Sequence, residues 1–352
     1  MLAFIGAASA QVPAVPVTTI HAKRMDFPVF LRGLGQVQAS AAVLVRARVD
    51  GALIEVPVAE GQTVKQGELV AVIDPRPFKA ALDQAEARKA QDQAMLANAR
   101  LDQARYATLA KQEAASRQKL DTQQALVNQF TAAIAGDEAA IDAAKLNLGF
   151  CYLISPVPGR VGLRLIDPGN MIRASDNAAI VSINQVQPIS AIFTLPQDLL
   201  PRINAAMAGG KLTVLAYASD DRTLLGTGIL LTPDNAIDPA TGTIKLKASF
   251  PNPDNALWPG QFIHARLLIE TLVNVVTVPI QAIQHGPAGL YVYAVKPDAT
   301  VTRLAVEVSN EDRGLAVVAH GLDAGAMVVT DGQSRLQDGM RVTATETKAG
   351  SG

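Results

Sequence analysis

The sequence predicts a mainly β, elongated multidomain chain that carries one long α-helical hairpin. Three observations predict it: an alanine-rich interval without breakers, a glycine-anchored repeat on its two flanks, and a train of short strands after residue 188. At 352 residues the chain is long enough for several cores.

Between Pro77 and Pro156 there is no proline, and the only glycines from Phe78 to Gly149 are Gly136 and Gly149 itself. Alanine fills 21 of those 72 positions, among Gln, Asp, Arg, Lys and Leu, so summed helix propensity is high. Leu120, Val127, Ile134, Ile141 and Leu148 recur at seven-residue spacing, with Phe130 and Ala144 on the same seam. In the first half, Phe78, Ala81, Ala85, Met95, Ala99, Tyr106 and Leu109 share a face that Asp92 and Asp102 interrupt. A single helix of about 70 residues would extend about 105 Å with nothing to cover its stripe. A reversal within Lys111–Arg117 lets the two stripes cover each other, with Ser116 as N-cap of the second helix.

The flanks repeat each other. Gly51 and Gly61 correspond to Gly159 and Gly169, and under the same offset Val64 matches Ile172, Val72 matches Ile180 and Ile73 matches Val181. Matched turn glycines with β-branched residues between them read as two copies of one β-unit. They make one lipoyl-like domain, split by the hairpin.

Short strands are expected at Ile189–Leu195, Leu212–Tyr217, Gly226–Leu231, Thr243–Phe250 and Gln261–Ile269, with a helix near Gln197–Met207. Strands separated by turn clusters, without βαβ alternation, suggest a small barrel. A last β-rich region, Val275–Thr345, is expected to take the N-terminal stretch Val17–Gln38 as its sheet partner.

Composition limits the chemistry. A net charge of -1 gives no electrostatic reason to expect nucleic acid. The lone Cys151 excludes an intramolecular disulfide, and His21, His264, His285 and His320 lack metal-ligand spacing. Cys151 lies in the apolar run Phe150–Ile154, which suits a buried, inert thiol. Met1–Ala10 is apolar and small, ending Ala8-Ser9-Ala10 like a secretory cleavage site, although the basic start is missing. No segment reaches the ~18 consecutive apolar residues of a membrane span.

Several local segments together resemble the periplasmic adaptors, or membrane fusion proteins, of tripartite efflux pumps. They are Arg48-Val49-Asp50-Gly51, Gly61-Gln62-Thr63-Val64-Lys65-Gln66-Gly67, Ile73-Asp74-Pro75, Ile154–Gly162, Asp238-Pro239-Ala240-Thr241-Gly242-Thr243-Ile244 and Leu257-Trp258-Pro259-Gly260-Gln261-Phe262. The resemblance covers Val17–Thr345 and is strongest to the MdtA-type adaptors of RND multidrug pumps. It implies a signal remnant or disordered start over 1–16 and a membrane-proximal β-domain of 17–40 with 273–345. The lipoyl-like domain is then 41–76 with 150–187, the hairpin 77–149, the β-barrel 188–272 and a disordered tail 346–352.

The family's hairpin apex carries an Arg, a Leu four residues on and a Ser seven beyond, which engage a TolC-like outer-membrane channel; Arg105, Leu109 and Ser116 have that spacing here. The implied partners are that channel, an inner-membrane RND transporter and other copies of the chain, six on a trimeric pump. The implied place is the periplasm, against the inner membrane, with no catalysis and no cofactor. ABC-type exporters, type I secretion systems and heavy-metal pumps use adaptors too, the first two being the main alternative.

Three other readings have a sequence hook. Lipoyl and biotinyl carriers present a lysine where the halves join, but here Asp74-Pro75-Arg76-Pro77 stands there, with Lys79 in the helix and Lys65 in another turn. Ser116-Arg117-Gln118-Lys119 and Ser175-Asp176-Asn177 match two marks of serine penicillin-recognising enzymes, but no K-T-G follows. Arg32-Gly33-Leu34-Gly35-Gln36 lacks the third glycine and the helix of a dinucleotide site, so its glycines are expected to ease a strand.

Overall fold

Absence of breakers produces what it predicts: α1 runs Arg76–Lys111 and α2 Arg117–Gly149, packed against each other along their length. At 1.5 Å per residue each arm is about 50 Å long. The computed structural model describes residues 14–346; the signal-like Met1–Ala10 and the tail beyond 346 lie outside the described residues.

The hairpin belongs to a compact unit made of Val37–Ala191 and Phe250–Gln261. Its β-part is two four-stranded sheets. One has the order Ala42–Arg46, Ala179–Asn184, Gly159–Arg164, Thr63–Val64; the other Tyr152–Ile154, Leu69–Ile73, Gly51–Glu55, Met171–Ile172. The two halves exchange equivalent bonds. Gly61 N donates to Val161 O at 2.9 Å as Gly169 N donates to Leu53 O at 2.7 Å, and Val161 N to Gln62 O mirrors Leu53 N to Asn170 O, both 2.9 Å. Gly51 faces Ile172 across one ladder and Gly159 faces Val64 across the other. Gly61 and Gly169 both have positive φ, +76° and +93°, where a side chain would be strained. The matched residues Val64, Ile73, Ile172, Ile180 and Val181 share one core with Leu53, Val70, Cys151 and Ile183. Burial, with the Asp74 charge second, pushes the Cys151 thiol up, which keeps it protonated and inert.

The remaining described residues form a second unit. Its larger sheet runs Thr213–Tyr217, Leu224–Asp238, Thr243–Phe250, Ile189–Pro196, Lys23–Ala39, Phe262–Pro279, Leu315–His320, Glu307–Asp312. Thr213–Tyr217 also pairs with Phe262–Pro279, which closes the first six strands into a barrel. Closure removes free edges and encloses Phe193, Leu195, Val214, Leu246, Ala265 and Leu267, all at most 1% exposed. The expected helix is a 3-10 turn, Gln197–Leu199, followed by Leu200–Ala208 with Ile203 buried.

The N-terminal stretch does not go to one sheet as expected. Val15–His21 pairs with Met327–Asp331 and Val342–Glu346 in the C-terminal sheet. Lys23–Ala39 instead lies along Phe262–Pro279, from Lys23 opposite Thr277 to Gln36 opposite Phe262. Gly33 and Gly35 make its barrel neighbours possible: a Cβ on Gly33 would come within 2.4 Å of Thr194 O, and one on Gly35 within 2.7 Å of Phe193 Cβ. These glycines ease a strand, and no helix follows them. The C-terminal sheet packs Val292 and Val328 with Val278 and Ala316 of the larger sheet in one cluster and buries Val17, Tyr293, Val329 and Val342 in another.

Candidate functional site at the hairpin tip

The root of the hairpin fixes how α1 begins. Asp74 accepts the Arg76 backbone N–H at 3.0 Å and holds its guanidinium in a fork, with Nη2 at 2.6 Å; that pairing keeps the Asp74 carboxyl below its usual range. This is the junction where a carrier domain would present its lysine. Lys79 lies in the first turn of α1 instead, its N–H bonded to Pro75 O.

At the other end the chain reverses over Gln112–Ser116 without a glycine. Ala114 N donates to Leu109 O at 2.9 Å and Glu113 N to Ala110 O at 3.2 Å, the two bonds of a Schellman motif. Its left-handed position is Glu113, at φ +57°. A side chain there costs about 1 kcal/mol relative to glycine, and the sequence gives no sign of it. The bonds satisfy carbonyls that would otherwise be orphaned at the helix end.

Arg105, Leu109 and Ser116 all lie within the last two turns of α1 and the start of α2. Arg105 and Leu109, four apart, stack on one side of α1. Arg105 is exposed and bonds Asp102 one turn back, Nη1 to Oδ1 2.8 Å. An exposed i,i+3 pair is weak and readily exchanged for another acceptor. Leu109 is half-buried. Ser116 occupies the N-cap position with extended backbone, yet its hydroxyl makes no capping bond, contrary to the role expected of it. That hydroxyl is exposed.

Two contacts that spacing alone did not single out tie the arms together just below. Lys119 Nζ sits 5.7 Å from the Tyr106 ring centroid, and Gln103 bonds Gln124 across the hairpin. Tyr106 falls on the predicted face, whereas its partner Lys119 lies off the apolar heptad and stood out only as the lysine of the S-x-x-K match. Ser116 and Lys119 open α2, whereas Ser175 lies in the 3-10 turn Ala174–Asp176 of the β-part, where α2 ends after about 50 Å. The two penicillin-enzyme motifs are therefore not brought together. Among the described residues no cluster of His, Cys, Asp and Glu could hold a metal, and no helix is long and apolar enough to cross a membrane.

Residues 81–151 match the RND MFP alpha-helical hairpin domain, 188–271 the RND MFP beta-barrel domain and 274–335 the RND MFP C-terminal permuted SH3 domain. The chain is 46% identical over 95% of its length to Multidrug resistance protein MdtA of Salmonella typhimurium, of which it covers 81%. To MdtA of Proteus mirabilis it is 45% identical over 96% of its length, covering 82% of that protein. Among solved structures it is similar in fold to MacA from Actinobacillus actinomycetemcomitans, with a TM-score of 0.59 and 21% identity over 88% of this chain and 98% of that one. A hairpin inserted in a split β-domain, a closed barrel and a C-terminal β-domain, each in sequence order, thus agree with relatives aligned along nearly the whole chain, and the chain belongs to the MdtA-type RND membrane fusion proteins.

Proposed function

We propose that this chain is the periplasmic adaptor of a tripartite RND multidrug efflux pump, joining an inner-membrane RND transporter to a TolC-like outer-membrane channel and sealing the conduit between them. The observation that carries the proposal is the hairpin tip. A 36-residue helix and a 33-residue helix carry an exposed Arg105 and an uncommitted Ser116 hydroxyl away from the β-domain that anchors them. Arg105 offers fixed donors to carbonyls or carboxylates at a channel rim, Leu109 a small apolar knob and Ser116 a donor and acceptor.

In this reading the protein does no covalent chemistry; it supplies reach. The lipoyl-like domain is assigned to 41–76 with 150–187, the barrel to 188–272 together with the strand Lys23–Ala39, and the membrane-proximal domain to the strand Val15–His21 with 273–345. The barrel and membrane-proximal domains rest on the transporter, and copies of the chain, six to a trimeric pump, stand side by side against the inner membrane.

The test is drug resistance in a strain that lacks the chain and is complemented with variants at matched expression. Arg105→Asp is expected to give the resistance of the uncomplemented strain, because it reverses the charge at the rim and leaves the helix intact. Full resistance with Arg105→Asp would remove Arg105 from the site. If even the wild-type chain restores nothing when co-expressed with the RND transporter, the adaptor reading itself falls.

A further inference from the structure

The wall of the barrel holds a charged cleft distinct from the hairpin tip. Strand register places Arg266 directly opposite Arg32 and His264 opposite Leu34, so these four side chains occupy one face of the paired strands. Two arginines facing each other across a ladder repel. They are held by Asp221, which lies 2.9 Å from Arg266 Nη2 and 4.0 Å from Arg32 Nη1. The loop that delivers Asp221 is itself fixed. Asp220 accepts the Thr223 hydroxyl at 2.6 Å and the N–H groups of Thr223 and Arg222 at 2.9 Å, bonds that hold its carboxyl at about 2.

The cluster is nonetheless one negative charge short. Arg32 and Arg313 share Asp312, and Arg32 and Arg266 share Asp221, so among the described ion pairs three guanidiniums meet two carboxylates. Arg266 is only 7% exposed, lies over the Tyr217 ring at 4.2 Å, and gives Nη2 to Asp221 O at 2.9 Å. Its Nε is buried with no acceptor. With that donor unmet, the guanidinium charge is only partly balanced within the fold, which leaves a positive field at the cleft.

Arg32 and Arg266 line a cleft of about 430 Å³, whose other walls include Leu34, Thr194 and Pro196. Leu34 is 63% exposed, a large apolar side chain held in solvent on the face that carries the arginines. A cationic end beside an apolar lip, in a volume of this size, suits a small molecule with one anionic group and an apolar body.

We propose that this cleft binds an amphiphilic organic carboxylate, its carboxylate against Arg266 and Arg32 and its apolar chain along Leu34 and Pro196. The proposal does not rest on the adaptor reading, because binding to the isolated chain is independent of pump assembly. Such a site would let the adaptor itself contact anionic amphiphiles.

The test is calorimetric titration of the purified full chain with octanoate, 1-octanol and acetate, each below its micellar or solubility limit. Saturable one-site binding of octanoate is expected, about tenfold tighter than octanol, which lacks the charge, and acetate, which lacks the chain. Arg32→Gln and Leu34→Ser alter exposed side chains, with Arg313 still paired to Asp312 and Arg266 to Asp221, and each is expected to weaken octanoate binding about fivefold or more with an unchanged circular dichroism spectrum. Arg202→Gln, which changes an arginine paired with Glu270 elsewhere in this unit, is expected to bind as wild type. No saturable heat with octanoate, equal binding of octanol, equal binding of acetate, or full affinity in both cleft variants would each overturn the proposal.

Discussion

Helix α2 meets its partner with Leu120, Val127, Ile134, Ile141 and Leu148, all buried or half-buried at seven-residue spacing. Helix α1 answers with two rows of mixed chemistry, Phe78, Ala85, Asp92, Ala99, Tyr106 and Leu82, Lys89, Leu96, Gln103, Ala110, again buried or half-buried. The predicted α2 seam is therefore the observed one. The α1 face differs from the expected one: Ala81 and Met95 point outward, Met95 being 40% exposed, while Leu82 and Leu96 point in. Where a seam holds charged and amide groups, counting apolar residues follows the wrong stripe, because the stripe is defined by what the other helix covers.

The polar level of the two seams coincides. Asp137 replaces an apolar residue between Phe130 and Ala144 on α2, and its Oδ1 lies 3.5 Å from Arg88 Nε while Lys89 bonds Glu138 at 2.8 Å. Asp137 is 7% exposed and its Oδ2 has no partner. One polar pair within an apolar seam fixes register at some cost in stability.

Substitutions can break or sharpen this contrast, read by hydrogen exchange of hairpin amides because a chain of several folded units does not unfold in one step. Ile141→Ala is expected to cost the most, about 3 kcal/mol, since it opens a cavity in the uniform seam. Asp137→Leu is expected to act oppositely, raising protection by about 2 kcal/mol, because Arg88 is already 77% exposed and stays solvated. Lower protection in Asp137→Leu would mean that the buried pair is net stabilising. Glu113→Gly is expected to strengthen the tip by about 1 kcal/mol through relief of the left-handed position. Met95→Ala should move protection by less than about 0.5 kcal/mol; a loss like that of Ile141→Ala would restore Met95 to the seam.

Similar limits run through the rest of the molecule. The split β-domain was legible because each half states the same turn glycines and β-branched core positions, and their reciprocal hydrogen bonds follow from that identity. The barrel strands were legible as elements, although Leu224–Asp238 and Phe262–Pro279 run well past the expected ends at Leu231 and Ile269. Turn signals inside a long strand can mark bulges, as the register shift between Pro233 and Ile237 does. At the tip, Arg105, Leu109 and Ser116 were located by spacing, but the conformation of Glu113 and the idle Ser116 hydroxyl were not.

By itself, the sequence determined the features that depend on neighbours along the chain: two long helices, from propensity without breakers; the α2 seam, from heptads; and the doubled β-unit, from a repeated pattern. Tertiary structure alone decided which sheet each N-terminal strand joins, where α1 turns its face, and that Arg32 and Arg266 meet across a ladder around Asp221. Those outcomes depend on pairings between residues far apart in sequence. Their cost or gain exists only when the partner arrives, so no local pattern can encode them.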